Sequence, residues 1–548
     1  MSDTFNLDAV DTHELLAEVR KAGGQRAFAR KYGIPRTTLQ DRLHKLRADP
    51  FQHRPRPEPV LLGQQGTGRR RYILSSAQDG TRVHDNFLTN LEAYADWLGQ
   101  DAPCEIIIAG YTYNKSLFED HAKNKAPLFH ERVQPYLRNE RMRLCEGLDF
   151  CAEINILPTA VTPLTGFETY TRHRSGVFPH AKVQLSSIPT QKYKPTKINY
   201  TTGTITRSNY VPKRAGLRAS FHHSIAAIIV EIDDDETFFV RHLMGEHDDG
   251  SFYDLDRYVS NGEVSENHAI ECLTPGDIHV VKIDPEVSKA TFGVWPTGER
   301  DPNTGYVWES EYNGTSMLER LKPSHLFLHD VSDFRSRSHH EIHDPHSRFK
   351  MHVQGVETVE EELRQDAMFL HFMQERTPGQ VHVVDSNHHG AFLKWLKTAD
   401  YRSDPINALF FLKSQSACYE AMARGDDDFD IYVHTLCEMF KEWRCDKVNF
   451  LKQDDSLVIG GVEHANHGHH GANGARGSIH AFVRGGSKTT SGHTHSAAIL
   501  DGAYVAGTTS SLDLGYNVGM SSWSWSHVIQ YQNGRRTIVT LSNGRWTI

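Results

Sequence analysis

Apolar residues first recur at helical spacing. Residues 15–21 read as a helix ended by Gly23-Gly24, and residues 25–32 as a second, with Ala27, Phe28 and Tyr32 near one face. Gly33-Ile34 makes a turn, and Pro35 is placed to open a third helix that runs to Arg47. The period then changes. Residues 72–76 read as a short strand, and Phe87, Leu88, Leu91, Tyr94, Ala95 and Leu98 mark an amphipathic helix. Residues 105–110 give a second apolar strand, so this order predicts a βαβ unit with parallel strands. Strand-like runs follow at 152–157, 182–185, 225–232 and 237–243, the last pair joined by an acidic loop, 233–236. Near the C-terminus, residues 478–484, 497–506, 527–531 and 536–541 also read as strands.

Charge changes the picture at one end. Between Arg20 and Arg71 stand 14 Lys or Arg against three carboxylates, although the chain of 548 residues carries a net −9. A basic arm on an acidic body points to a polyanion partner at that end. Ala29, Gly33, Ile34 and Leu39 have helix-turn-helix spacing: a small residue where two helices cross, then a glycine in the turn. The stretch Tyr32-Gly-Ile-Pro-Arg-Thr-Thr-Leu-Gln-Asp-Arg-Leu43 resembles the DNA-reading unit of Hin-type recombinases. That resemblance implies that Arg36, Thr37, Thr38, Gln40 and Asp41 face a groove, with Arg42, Lys45 and Arg47 near phosphates. Residues 51–71 are rich in Pro, then Gly, and end in three arginines, which suits a basic linker.

No run of about 18 apolar residues is present, so a membrane-spanning helix is not expected. The seven cysteines are scattered without a Cys-x-x-Cys pair. That points to a reducing cytoplasm and away from a cysteine-based zinc site.

Histidine carries the candidate chemistry, with 19 of 34 between His325 and His495. Five segments stand in order: Asp277-Ile-His279 before an apolar run, Asp330 after Leu326-Phe-Leu, Asn387-His388 after Val381-His-Val-Val, His467-Gly468, and Gly492-His493-Thr-His495. Asp and His two apart on a strand share a face, and an aspartate at a strand end can bridge two cations with its two oxygens. His464 and His469 flank His467 as rival ligands, and the glycine after His467 favours it. His339, His340, His343 and His346 read as loop or surface residues.

This order resembles the calcineurin-like binuclear metallophosphoesterases, which include SbcD-type DNA repair nucleases. The broader chain, with Tyr72-Ile-Leu-Ser-Ser-Ala-Gln78 and His470-Gly-Ala-Asn-Gly-Ala-Arg-Gly-Ser478, is similar to the pre-early first-step DNA-transfer proteins of tailed bacteriophages. The resemblance implies two divalent cations, with a mixed carboxylate, amide and imidazole shell that suits Mn2+ first, and Zn2+ or Fe2+ after it. Asp277, His279 and His495 would hold one, Asn387, His467 and His493 the other, with Asp330 shared and His388 as general acid. His329 stands where the family carries glycine, and His389 where it carries an acid.

The implied fold is α/β: a metallophosphoesterase αββα sandwich over 271–548, a preceding α/β region over 72–270, and a helix-turn-helix over 1–50. The expected function is a metal-dependent DNA phosphodiesterase or nuclease, phage-encoded and acting in the host cytoplasm through a two-metal-activated hydroxide. Two alternatives stand beside it. One is a phosphatase or cyclic-nucleotide phosphodiesterase. The other is a non-catalytic DNA-binding transfer or regulatory protein. DNA is the expected partner, and a homo-oligomer is left open.

Overall fold

A computed structural model describes residues 5, 7, 12–48, 58–62, 68–112, 129–192, 194–234, 237–301, 305–338 and 344–547. The contacts divide the chain into two compact units, Met1–Pro59 and Val60–Ile548. The smaller unit holds three helices, Thr12–Lys21, Gln25–Tyr32 and Arg36–Ala48. Gly33 takes φ 63°, which ends the second helix in the left-handed conformation that glycine adopts without steric cost. Leu15, Val19, Phe28, Ala29, Leu39 and Leu43 bury into one small core.

The larger unit begins with the expected βαβ element. Strands Arg70–Gln78 and Cys104–Tyr111 pair in parallel, joined by the helix Asp85–Gly99. The helix buries the six apolar residues that its periodicity marked, and the His84 side chain accepts a hydrogen bond from Phe87 N at its start. The hairpin Ala226–Ile232 and Phe238–Met244 completes a four-stranded sheet. One face of that sheet packs on the helix through Ile73, Ile106, Ile108 and Ile229, the other on a second core through Leu74, Ile107 and Ile228.

A six-stranded mixed sheet positions the candidate site. Its order is Val448–Leu451, Gln380–Val384, His325–Leu328, Cys272–Thr274, Ser526–Gln530, Arg536–Thr540. The first four run parallel and the last two antiparallel. Alternation along these strands sorts their side chains. Leu326, Leu328, Val381 and Val383 join the main core with the helices Val359–Arg376, His389–Thr398 and Ala408–Arg424. Phe327 and Val384 face the opposite way, with Cys272, Leu451 and Ala465.

An eleven-stranded sheet threads through the larger unit. It starts at Val60–Leu61, takes in Leu185–Ile188, and ends with Ala498–Leu500, Ala503–Val505, Lys488–Ser491, Val462–Glu463 and Val458–Ile459. No helix among the described residues is long and apolar enough to cross a membrane.

Several expected strands differ. Residues 478–484 form the helix Ile479–Gly485, because Ser478 caps it from Ala481 N and Gly486 closes it at φ 79°. Residues 152–157 form turns after the strand Leu148–Cys151. The strand expected at 182–185 lies at Leu185–Ile188. Asp277 and His279 do not share a strand: the chain leaves Cys272–Thr274 and enters a loop and a short 3-10 turn, Val280–Lys282.

Candidate metal centre

Three of the parallel strands deliver side chains from their carboxyl ends, where ligands gather in open α/β sheets. Asp277 and His279 follow Cys272–Thr274, Asp330 and Asp333 follow His325–Leu328, and His388 follows Gln380–Val384. The long sheet supplies the rest: His467 after Val462–Glu463, and His493 and His495 after Lys488–Ser491.

The backbone that aims these groups is unusual. His279, Asp330, His493 and His495 have φ of 46°, 44°, 73° and 55°, a region that side-chain-bearing residues rarely occupy. Four such residues around one point cost stability and cluster where function requires it. Gly492 is fixed by close approach: a Cβ there would stand 2.1 Å from Asp277 Oδ1. His493 N donates to Asp277 Oδ2 at 2.7 Å. Thr509 N and Thr508 Oγ1 both donate to the Asp277 carbonyl, and Gly276 N donates to His527 Nδ1 at 3.0 Å.

Ligand-type atoms converge in two sets. Asp277, His279, Asp330 and His495 bring one atom each within 4.8 Å of one another, and so do Asp330, His467 and His493. Asp330 belongs to both. His279 Nε2 and His495 Nε2 are 3.1 Å apart, His495 Nε2 is 3.1 Å from Asp277 Oδ2, and His467 Nε2 is 3.1 Å from Asp330 Oδ2. Asp277 Oδ1 and Asp330 Oδ1 are buried without a hydrogen-bond partner. Orphaned buried polar atoms are costly, and both belong to carboxylates of these ligand sets. Burial resists ionisation of Asp277 and Asp330, but the surrounding imidazoles outweigh it. His495 and His467 lower Asp277, and His467 and His388 hold Asp330 well below the usual range. Ionised oxygens beside imidazole nitrogens make a donor set that fits divalent cations of the Mn2+ or Zn2+ type.

A third group surrounds His279. Its Nδ1 lies 3.0 Å from Asp333 Oδ1, and Lys282 Nζ lies 3.2 Å from Asp333 Oδ2. A carboxylate on the far nitrogen of a ligand histidine fixes its orientation. His388 donates from Nδ1 to the Asp333 carbonyl at 2.8 Å, and its ring meets that of His279 at 4.8 Å. Burial lowers the His388 pKa, but Asp330 and Asp333 more than reverse this, and the net shift is upward.

The remaining expected site residues fall as follows. Asn387 stands exposed in the turn before His389–Thr398, outside the buried cluster. His464 hydrogen-bonds Gln530 at 3.1 Å, and the His469 ring lies tilted against His470 at 4.1 Å and 5.4 Å from the ring of His467. His346 is exposed, and His339, His340 and His343 lie outside the described residues. Trp523 packs edge-on over His495 at 4.3 Å, and Trp525 donates to Ser510 O. On the third N-terminal helix, Arg36, Thr37, Thr38, Gln40 and Asp41 are exposed and Arg42 is half-buried. The side chains of Lys45 and Arg47 lie outside the described residues.

Sequence reasoning passed over three participants. Asp333 was visible three residues after Asp330. His329, noted as standing at the family's glycine position, is buried with Nδ1 3.3 Å from His467 Nδ1. Asp385, raised to about 6 mainly by burial, senses both His467 and Asp330.

Comparison with known proteins bears on the whole chain. It is 36% identical over 490 residues to Protein A1 of Escherichia phage T5, a match covering 87% of this chain and 83% of that protein. The chain belongs to the Protein A1 family. No protein-family model matches it, and neither does any solved structure. The match to Protein A1 therefore ties the mixed α/β fold to a bacteriophage lineage.

Proposed function

We propose that this Protein A1 relative is a metal-dependent phosphodiesterase acting on DNA, built on a metallophosphoesterase-type sandwich. The observation that carries the reading is the pair of ligand sets that share the buried carboxylate of Asp330. A pair of divalent cations supplies Lewis acidity: it acidifies water and neutralises charge on a phosphate. Asp277, His279 and His495 are the residues for one cation, His467 and His493 for the other.

The chain's own groups do the rest. Asp333 orients His279, and His279, followed by Lys282, holds the Asp333 carboxyl below its usual range against burial. His388 donates Nδ1–H to a carbonyl, so the imidazolium offers its Nε2 proton to a departing alkoxide. Asp330 and Asp333 shift its pKa upward, in the direction that favours the protonated ring. The basic three-helix unit supports a nucleic-acid substrate over a small phosphomonoester. Arg36, Thr37, Thr38 and Gln40 stand exposed on one helix, as a DNA-reading helix requires.

The test is plasmid DNA with Mn2+, with and without chelator, beside metal analysis of the purified chain. Nicking that needs Mn2+ and vanishes in Asp330→Asn is expected. Cleavage retained by that variant would end the proposal. Near-complete burial of Asp277, His279, Asp330 and His467 favours a second reading, a structural metal pair. Bound metal with DNA binding and no cleavage would select it.

A further inference from the structure

A second site for phosphate-bearing ligands lies away from the metal centre. A cavity of about 570 Å³ opens where the strand Lys488–Ser491 begins, at the opposite end of that strand from His493 and His495. Lys182, Lys488, Arg535 and Arg536 line it, with Asp501 as its carboxylate.

The charges there are not balanced. Lys182 pairs with Asp501, and Arg535 makes two contacts of 3.2 Å to Glu246. Arg536 is only 4% exposed and has no carboxylate partner among the described residues. Its donors go to the carbonyls of Thr489 and Gly502 and to Thr490 Oγ1, and its guanidinium lies over the Tyr504 ring at 4.2 Å. Lys488 is exposed and likewise has no carboxylate partner among the described residues. A buried guanidinium without a counter-ion is expensive unless an anion completes the site. Burial depresses Arg536 to about 10 and lowers Lys488, with Arg535 and Arg536 adding to the effect on Lys488.

At the rim stands Phe221, 84% exposed, its ring 5.0 Å from that of His222. An exposed aromatic ring lining the same cavity as cations without carboxylate partners suits a nucleotide, with the base on the ring and the phosphate near the cations. We propose that this cavity binds a nucleotide phosphate, with Lys488 and Arg536 as the charge partners and Phe221 as the stacking surface. The phosphate belongs either to a free nucleotide or to a nucleic-acid strand. The proposal does not depend on the reading of the metal centre.

The test uses the full chain in chelator, so that cleavage plays no part. Binding of a deoxynucleoside monophosphate, its parent nucleoside and a short oligonucleotide is measured by titration calorimetry. The same titrations are run on Lys488→Glu and Phe221→Ala, both exposed positions, with circular dichroism to check the fold. The proposal expects the phosphate form to bind and the nucleoside not to, with at least tenfold weakening in Lys488→Glu and a smaller loss in Phe221→Ala. Weakening for the mononucleotide assigns the cavity to a free ligand. Weakening confined to the oligonucleotide assigns it to a strand. Unchanged affinity for both ligands in Lys488→Glu overturns the proposal.

Discussion

Asp333 and His388 are the residues through which the centre is tuned. Asp333 contacts His279, a proposed metal ligand, so its effect would pass through His279. Asp333→Asn should keep the fold and lower metal affinity by about 10–100-fold, read by metal titration. Equal affinity would mean that His279 needs no orienting partner. His388→Gln should leave metal content unchanged and lower kcat for DNA cleavage by about 10²–10⁴. A loss of metal in that variant would make His388 a ligand instead of an acid. At this scale much was legible in the sequence, because histidine, aspartate and glycine at fixed spacing report directly on ligand chemistry. Asn387 marks the limit: its motif was plain, yet its side chain stands exposed. His329 stood out as a departure from the family's glycine, but its contact with His467 joins distant segments and leaves no local trace.

Among elements, the junction of the four-stranded sheet and its helix is pinned by charge. Arg241, 1% exposed, pairs with Glu231 on the adjacent strand and with Asp254, which also accepts from Tyr94 Oη at 2.5 Å. Arg71 reaches the same Glu231 at 3.3 Å. Arg241→Met should cost about 3–5 kcal/mol in urea unfolding, because it strands two buried carboxylates. A loss below 1 kcal/mol would show that their remaining partners suffice. The βαβ unit was readable because its strand and helix periods are local. Residues 478–484 misled because their apolar residues sit in a short run, where period alone does not separate strand from helix. The serine cap and closing glycines decide the matter, and they carry little weight until the ends are seen.

For the whole molecule, acid should act through buried histidines outside the two ligand sets. His180, His223, His242 and His527 are each lowered to about 4, with burial the first cause. Their folded pKa lies below the unfolded value, so the unfolded chain binds more protons between about pH 6.5 and 4. Stability is full above that window and falls as pH drops through it. With four such groups the slope approaches, at most, about 5 kcal/mol per pH unit. Denaturant midpoints measured from pH 7.5 to 5 check this, and a flat profile would refute it. Some strands of the long sheet were readable, but not their order, since pairing between distant segments leaves no local trace.

That sheet has a consequence for how such genes are inherited. Ala498–Leu500 finds its neighbour in Leu185–Ile188, from the other half of the chain. A crossover between related phage genomes inside that interval would join halves whose edges had never been matched. An exchange upstream of Val60 would leave every one of those pairings intact, so novelty should accumulate in the N-terminal helices first.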